Sequence, residues 1–195
     1  MRCLISLLLC LAARGEVLHV TILDHVGVPA ETLEGAREFL SGVFGPAGTR
    51  LEIRVERSAW RRGQTMRLED VTGDVVLRIC SREMAKVMVP KSAVFGYVQP
   101  WRAEELPRVA NVFYHRMGEL EEITDSSTAR ILGAVLAHEM GHLLMGRGAH
   151  SAMGIMRCPW DTAELRDLAR GTLVFDRQQR ISIADGVRQR RAISR

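Results

Sequence analysis

Residues 138–150, HEMGHLLMGRGAH, hold three of the chain's six histidines, one glutamate and three glycines. His138 and His142 are four apart, so on a helix their rings project from one face about one turn apart. Glu139 stands beside them. In the pattern HExxH two neutral imidazoles can ligate zinc and the carboxylate can act as a general base. A catalytic zinc takes three protein ligands and leaves one position for water. The water's pKa then falls toward about 7, where a carboxylate can accept its proton. Gly146 can adopt a positive φ and end the helix. His150 follows eight residues after His142, and GIM (154–156) then makes a tight turn carrying Met156.

These residues need a rigid frame. Residues 125–146 carry apolar side chains on nearly every side, as a helix through the centre of a domain does, with Asp125, Ser126 or Ser127 as its cap. Upstream, residues 16–25 read as a strand, 27–48 enclose a helix started by Pro29, and 49–56 alternate charged and apolar residues as a half-wet strand does. A polar loop is expected over 57–72, strands over 74–80 and 108–116, and a short helix or turn over 81–90. AVFGYVQP (93–100) has a glycine inside and a proline at its end, both marks of an edge strand. An irregular stretch then leads to a last helix at 176–189. This order predicts an α/β domain around one twisted sheet.

Composition agrees with such a domain. The chain has 195 residues, 47% apolar and 26% charged, with a net charge of +4. That is one domain's length. No basic stripe interleaved with aromatics points to nucleic acid. Arg2 and the apolar run 4–13 read as a signal peptide over residues 1–15, too short to span a bilayer. Its removal would take away two arginines, no acid, Cys3 and Cys10. The mature domain would be 16–195, with an upper part 16–146 and a short lower part 147–195. It is expected outside the cytoplasm or in the periplasm, as a monomer. There Cys80 and Cys158 could form a disulfide tying the turn to the sheet.

A third histidine beyond a glycine-stopped helix, then a methionine-bearing turn, resembles the metzincin zinc peptidases. The likeness is to compact bacterial matrixin-type proteins, and it extends to the order of strands and helices. It implies a mostly parallel sheet with an antiparallel edge strand, a central active-site helix, a Met-turn and a C-terminal helix. It implies zinc on His138, His142 and His150, Glu139 as base, Met156 beneath the metal, and an endopeptidase acting on peptide or protein. Ser151 follows the third histidine as in matrixins. The spacing departs from the usual HExxHxxGxxH. Met145 stands at the glycine position and Gly148 at the histidine position, so helix and turn must each run one residue longer.

Two other readings use the same residues. In one, Glu164 replaces His150 as third ligand, supported by Asp167. In the other, the chain is an inactive zinc-binding interaction module. Phe95 and Tyr97, two apart on the edge strand, are expected to share one face and flank substrate, with Gly96 on the other. Trp160 is expected to wall the cleft.

Overall fold

In the computed structural model, which describes residues 15–60, 71–89, 94–101, 105–146 and 148–193, β1 (Glu16–Asp24) is buried over most of its length. Leu18, Val20 and Ile22 point into the main core, while Leu23 joins Val71, Val76 and Val109 on the other face. A strand covered on both faces reads as a nearly continuous apolar run. At the end of β1 the buried Asp24 carboxylate accepts hydrogen bonds from the amides of Val26 (3.0 Å), Gly27 (2.9 Å) and Val28 (2.9 Å). This turns the chain into α1 (Ala30–Phe44).

α1 crosses back to β2 (Thr49–Arg57), parallel to β1. β3 (Val75–Cys80) lies on the other side of β1, and α2 (Arg82–Met88) leads from it to the three-residue β4 (Gly96–Val98). β5 (Val109–Phe113) pairs parallel to β3 and antiparallel to β4. The sheet order is β2-β1-β3-β5-β4, a mostly parallel sheet with an antiparallel edge, as expected. After α3 (Met117–Glu121), α4 (Thr128–Met145) runs across one sheet face, capped by the Ser127 side chain and buried along most of its length.

Two helices complete the domain. The stretch expected to be irregular contains α5 (Thr162–Arg170), started by a capping box in which Asp161 and Glu164 each hold the other's backbone amide. The D-x-x-E spacing was the signal for it. α6 (Arg177–Ile193) packs on α4. Its buried Arg190 donates to the carbonyls of Leu143 (2.6 Å), Asp74 (3.3 Å) and Pro107. The end of α4 is thereby tied to the loops that follow and precede the sheet strands. The expected signal peptide over residues 1–15 falls, but for Gly15, outside the described residues, as do residues 61–70 of the expected loop.

Candidate metal centre

α4 ends at Met145, and Gly146, at φ +83°, lets the chain leave the helix. The following turn brings His150 back over the rings of His138 and His142. Their ligand atoms all lie within 4.8 Å of one another. His142 Nε2 is 3.1 Å from both His138 Nε2 and His150 Nε2. His138 Nδ1 is 2.7 Å from the carbonyl of Ile155, so it must carry the hydrogen, which leaves Nε2 as a lone pair aimed at the cluster. Burial keeps the His138 imidazole below its ordinary pKa. Burial, then repulsion from His138 and His150, takes His142 down to about 4. Nitrogen lone pairs facing each other at this range repel unless a proton or a cation stands between them. Neutral imidazoles converging in this way suit a zinc-type ion.

Glu139 sits in the same cleft, 5% exposed. Burial alone pushes its carboxyl up to about 8, and Oε2 has no hydrogen-bond partner among the described residues. A cation on the imidazoles would favour its ionised form. The room for it comes from Gly96 on β4. A Cβ there would lie 2.7 Å from Glu139 Oε1 and 2.7 Å from the Asn111 carbonyl oxygen.

The turn after His150 supports the centre from below. Ser151 and Arg157 bridge its two ends. The Ile155 carbonyl accepts from Trp160 Nε1 (3.0 Å) as well as from His138, so Trp160 both borders the cleft and fixes the acceptor that orients a ligand. Met156 is fully buried against Gly141, whose missing side chain gives the thioether its space. Met153, by contrast, is 63% exposed. Gln179 of α6 donates to Ser151 Oγ (2.8 Å).

Several expectations need correction. Glu164 does not join the histidines. It is buried in its capping box, with Oε1 on the Gly154 amide (3.3 Å) and Oε2 on Arg157 (3.2 Å), and braces the turn. Cys80 and Cys158 are unpaired: Cys80 is buried, while Cys158 is exposed at the cleft. The Cys80 thiol, raised to about 12 by burial, packs with Met84, Ala85 and Phe113. Phe95 and Tyr97 do not share a face. Tyr97 stacks on Phe113 at 6.0 Å, whereas Phe95, one residue before β4 begins, packs against the main core. Sequence reasoning overlooked Gly141, the Ile155 carbonyl, Arg157 and Gln179. For these only the D-x-x-E signature offered a hint, through Glu164.

The cleft has a volume of about 610 Å³. Phe95, Tyr97, Trp101, Leu120, Val135 and Trp160 are among its apolar lining, and Glu139 with the three histidines lies along it. No family model matches the chain, and no curated protein matches it. Solved structures do. An archaemetzincin from Methanopyrus kandleri superposes with a TM-score of 0.55 at 16% identity, over 95% of this chain and 100% of that one. A zinc-dependent peptidase from Methanocorpusculum labreanum gives 0.52 at 18% identity, over 84% and 99%. This chain has their fold. At such identities the likeness concerns the backbone, and the chemistry rests on the residues described above.

Proposed function

We propose that this chain is an exported zinc-dependent endopeptidase. The observation that carries the reading is a set of three converging imidazoles beside a buried carboxyl whose Oε2 has no partner among the described residues, in one apolar cleft bordered by the edge strand β4. His138, His142 and His150 would hold zinc through Nε2, the first oriented by the Ile155 carbonyl. When bound, the ion supplies a Lewis acid that acidifies water and polarises a substrate carbonyl. Glu139 takes the proton from the attacking water, whose oxygen bonds to the carbonyl carbon. The carboxyl then passes that proton to the amine nitrogen as the C–N bond breaks. Its burial keeps bulk water from competing for it. Fold likeness to an archaemetzincin and to a zinc-dependent peptidase supports the reading, and the apolar run at residues 4–13 supports export.

The edge strand suggests how substrate lies. Phe113 N donates to Phe95 O (2.9 Å), and Gln99 N to Val109 O (2.9 Å), so odd-numbered residues of this segment face β5. The N–H and C=O groups of Gly96 and Val98 therefore point away from β5, and an extended peptide can pair with them. Val98→Pro removes one of these donors at a position where an edge strand tolerates proline. It should raise KM with kcat little changed. Unchanged KM in a folded Val98→Pro protein would remove β4 from substrate binding.

Metal analysis and a peptide library test the whole reading. His150→Ala should lose zinc, and Glu164→Ala should retain it. Glu139→Gln should keep zinc and lose cleavage by about 10²–10⁴-fold, the usual contribution of a general base. A zinc-loaded protein that cleaves no peptide would instead be a binding module.

A further inference from the structure

The sheet has a second open edge, far from the cleft. Among the described residues nothing pairs with the outer side of β2, which is nine residues long. The Gly48 carbonyl accepts from Glu16 N (2.9 Å), and Ser58 N donates to Asp24 O (3.1 Å). Even-numbered residues of this strand therefore turn their backbone groups to β1. Leu51, Ile53 and Val55 turn theirs outward. Their side chains pack on the core yet stay partly exposed, whereas Arg50, Glu52 and Arg54 stand exposed on the opposite face with the half-buried Glu56.

We propose that β2 is a dimer edge and that its occupant is β2 of a second copy, running antiparallel about a twofold axis at Ile53. In that register Ile53 faces Ile53 of the second copy, and Leu51 faces its Val55. These are the residues whose N–H and C=O groups point outward, so they form the hydrogen-bonded pairs of the new ladder. The charged residues fall at the positions between, where side chains on adjacent strands approach most closely. There Arg50 meets Glu56 of the second copy and Glu52 meets its Arg54, each pair occurring twice by symmetry. Every charge on the strand face meets its opposite.

The register is selective. Sliding one copy by two residues sets Arg50 against Arg54 and Glu52 against Glu52, or Glu52 against Glu56 and Arg54 against Arg54. Sliding by four keeps only half of the opposite-charge pairs. An odd slide puts charged side chains opposite apolar ones. A charged edge normally blocks pairing. A strand of one sign would do so in every register, but alternating sign permits pairing, and one register matches every charge. In the single chain Arg50 pairs with Glu52 (2.9 Å) and Arg54 with Glu56 along the strand. These ion pairs are exposed and so cheap to exchange. The cleft lies at β4, the opposite edge of the sheet, and stays open in both copies. A dimer with one continuous sheet would stand in place of the monomer expected from the sequence.

Sedimentation velocity on the folded, metal-loaded protein tests this, with circular dichroism confirming that each variant is folded. The wild type should dimerise across the micromolar range. Glu52→Arg sets arginine against Arg54 of the other copy, and Arg54→Glu sets glutamate against its Glu52, so each variant alone should be monomeric. An equal mixture of the two should form a heterodimer, because each mismatch is then met by its opposite. The double variant E52R/R54E should self-associate as the wild type does, and it keeps the test alive if either single variant fails to fold. A wild type that stays monomeric, a dimer that survives either single substitution, or failure of both the mixture and the double variant to associate overturns the proposal.

Discussion

Gly96→Ala adds one methyl group in the narrowest place beside the candidate base. Its Cβ would lie 2.7 Å from the Asn111 carbonyl oxygen, 2.7 Å from Glu139 Oε1 and 2.8 Å from Glu139 Cγ, where ordinary contact begins at 3.4 Å. The shortfall is about 0.7 Å on two sides. Asn111 belongs to β5, held by β3 on one side and β4 on the other, so the relief must come from β4 or from the Glu139 side chain. Overpacking of this kind costs about 1–3 kcal/mol. Replacing glycine by alanine returns about 0.4–1 kcal/mol through the unfolded chain. A net loss of about 1–2 kcal/mol leaves the domain folded. Displacing a reacting group by near 1 Å costs about 10²-fold in rate. We therefore expect zinc content unchanged, a small drop in Tm, and kcat on a peptide substrate lowered about 10²-fold. In a Glu139→Gln background the same methyl should cost no further rate, because the group it displaces no longer acts. Wild-type kcat in folded Gly96→Ala would refute the reasoning, and so would loss of the metal.

Gly141→Ala would drive a methyl into Met156 Sδ and within 3.1 Å of its Cε. Overpacking of about 1–3 kcal/mol, less about 1 kcal/mol of helix propensity, should lower urea stability by up to about 2 kcal/mol. A rise in stability would show that the thioether has other room. Arg190→Met removes donors to Leu143, Asp74 and Pro107, and leaving buried carbonyls unsatisfied should cost about 2–4 kcal/mol by the same measurement. In the chain from residue 16 onward without reductant, a thiol reagent should modify Cys158 quickly in the native state and Cys80 only on unfolding. Finding no free thiol in the denatured protein would restore the disulfide. The Cys80 thiol is held neutral in the fold, raised from 9.0 to about 12. Its contribution to stability is thus complete below pH 9 and is lost as pH rises toward 12, so Cys80→Ala should show a shallower alkaline decline in denaturant titrations.

What depends on neighbours along the chain was legible in the order of residues. Two histidines four apart on a strongly apolar helix must share a face, and a glycine after Met145 must let the chain leave that helix. Alternation marked β2, and the Gly-interrupted run marked an edge strand. The order of elements was enough for the class of fold. Which atoms meet across long separations was settled by the fold. It placed the Ile155 carbonyl on His138, Gly96 under Glu139, and Arg190 on the end of α4. It also kept Cys80 and Cys158 apart and gave Glu164 to a capping box rather than to the histidines. Periodicity reports which face of an element is apolar. It carries no information about what is packed against that face, because such a contact depends on chain closure between residues far apart in sequence. Phe95 shows the boundary: it lies one residue before β4, and its side chain turns to the main core although its carbonyl already accepts from Phe113 of β5.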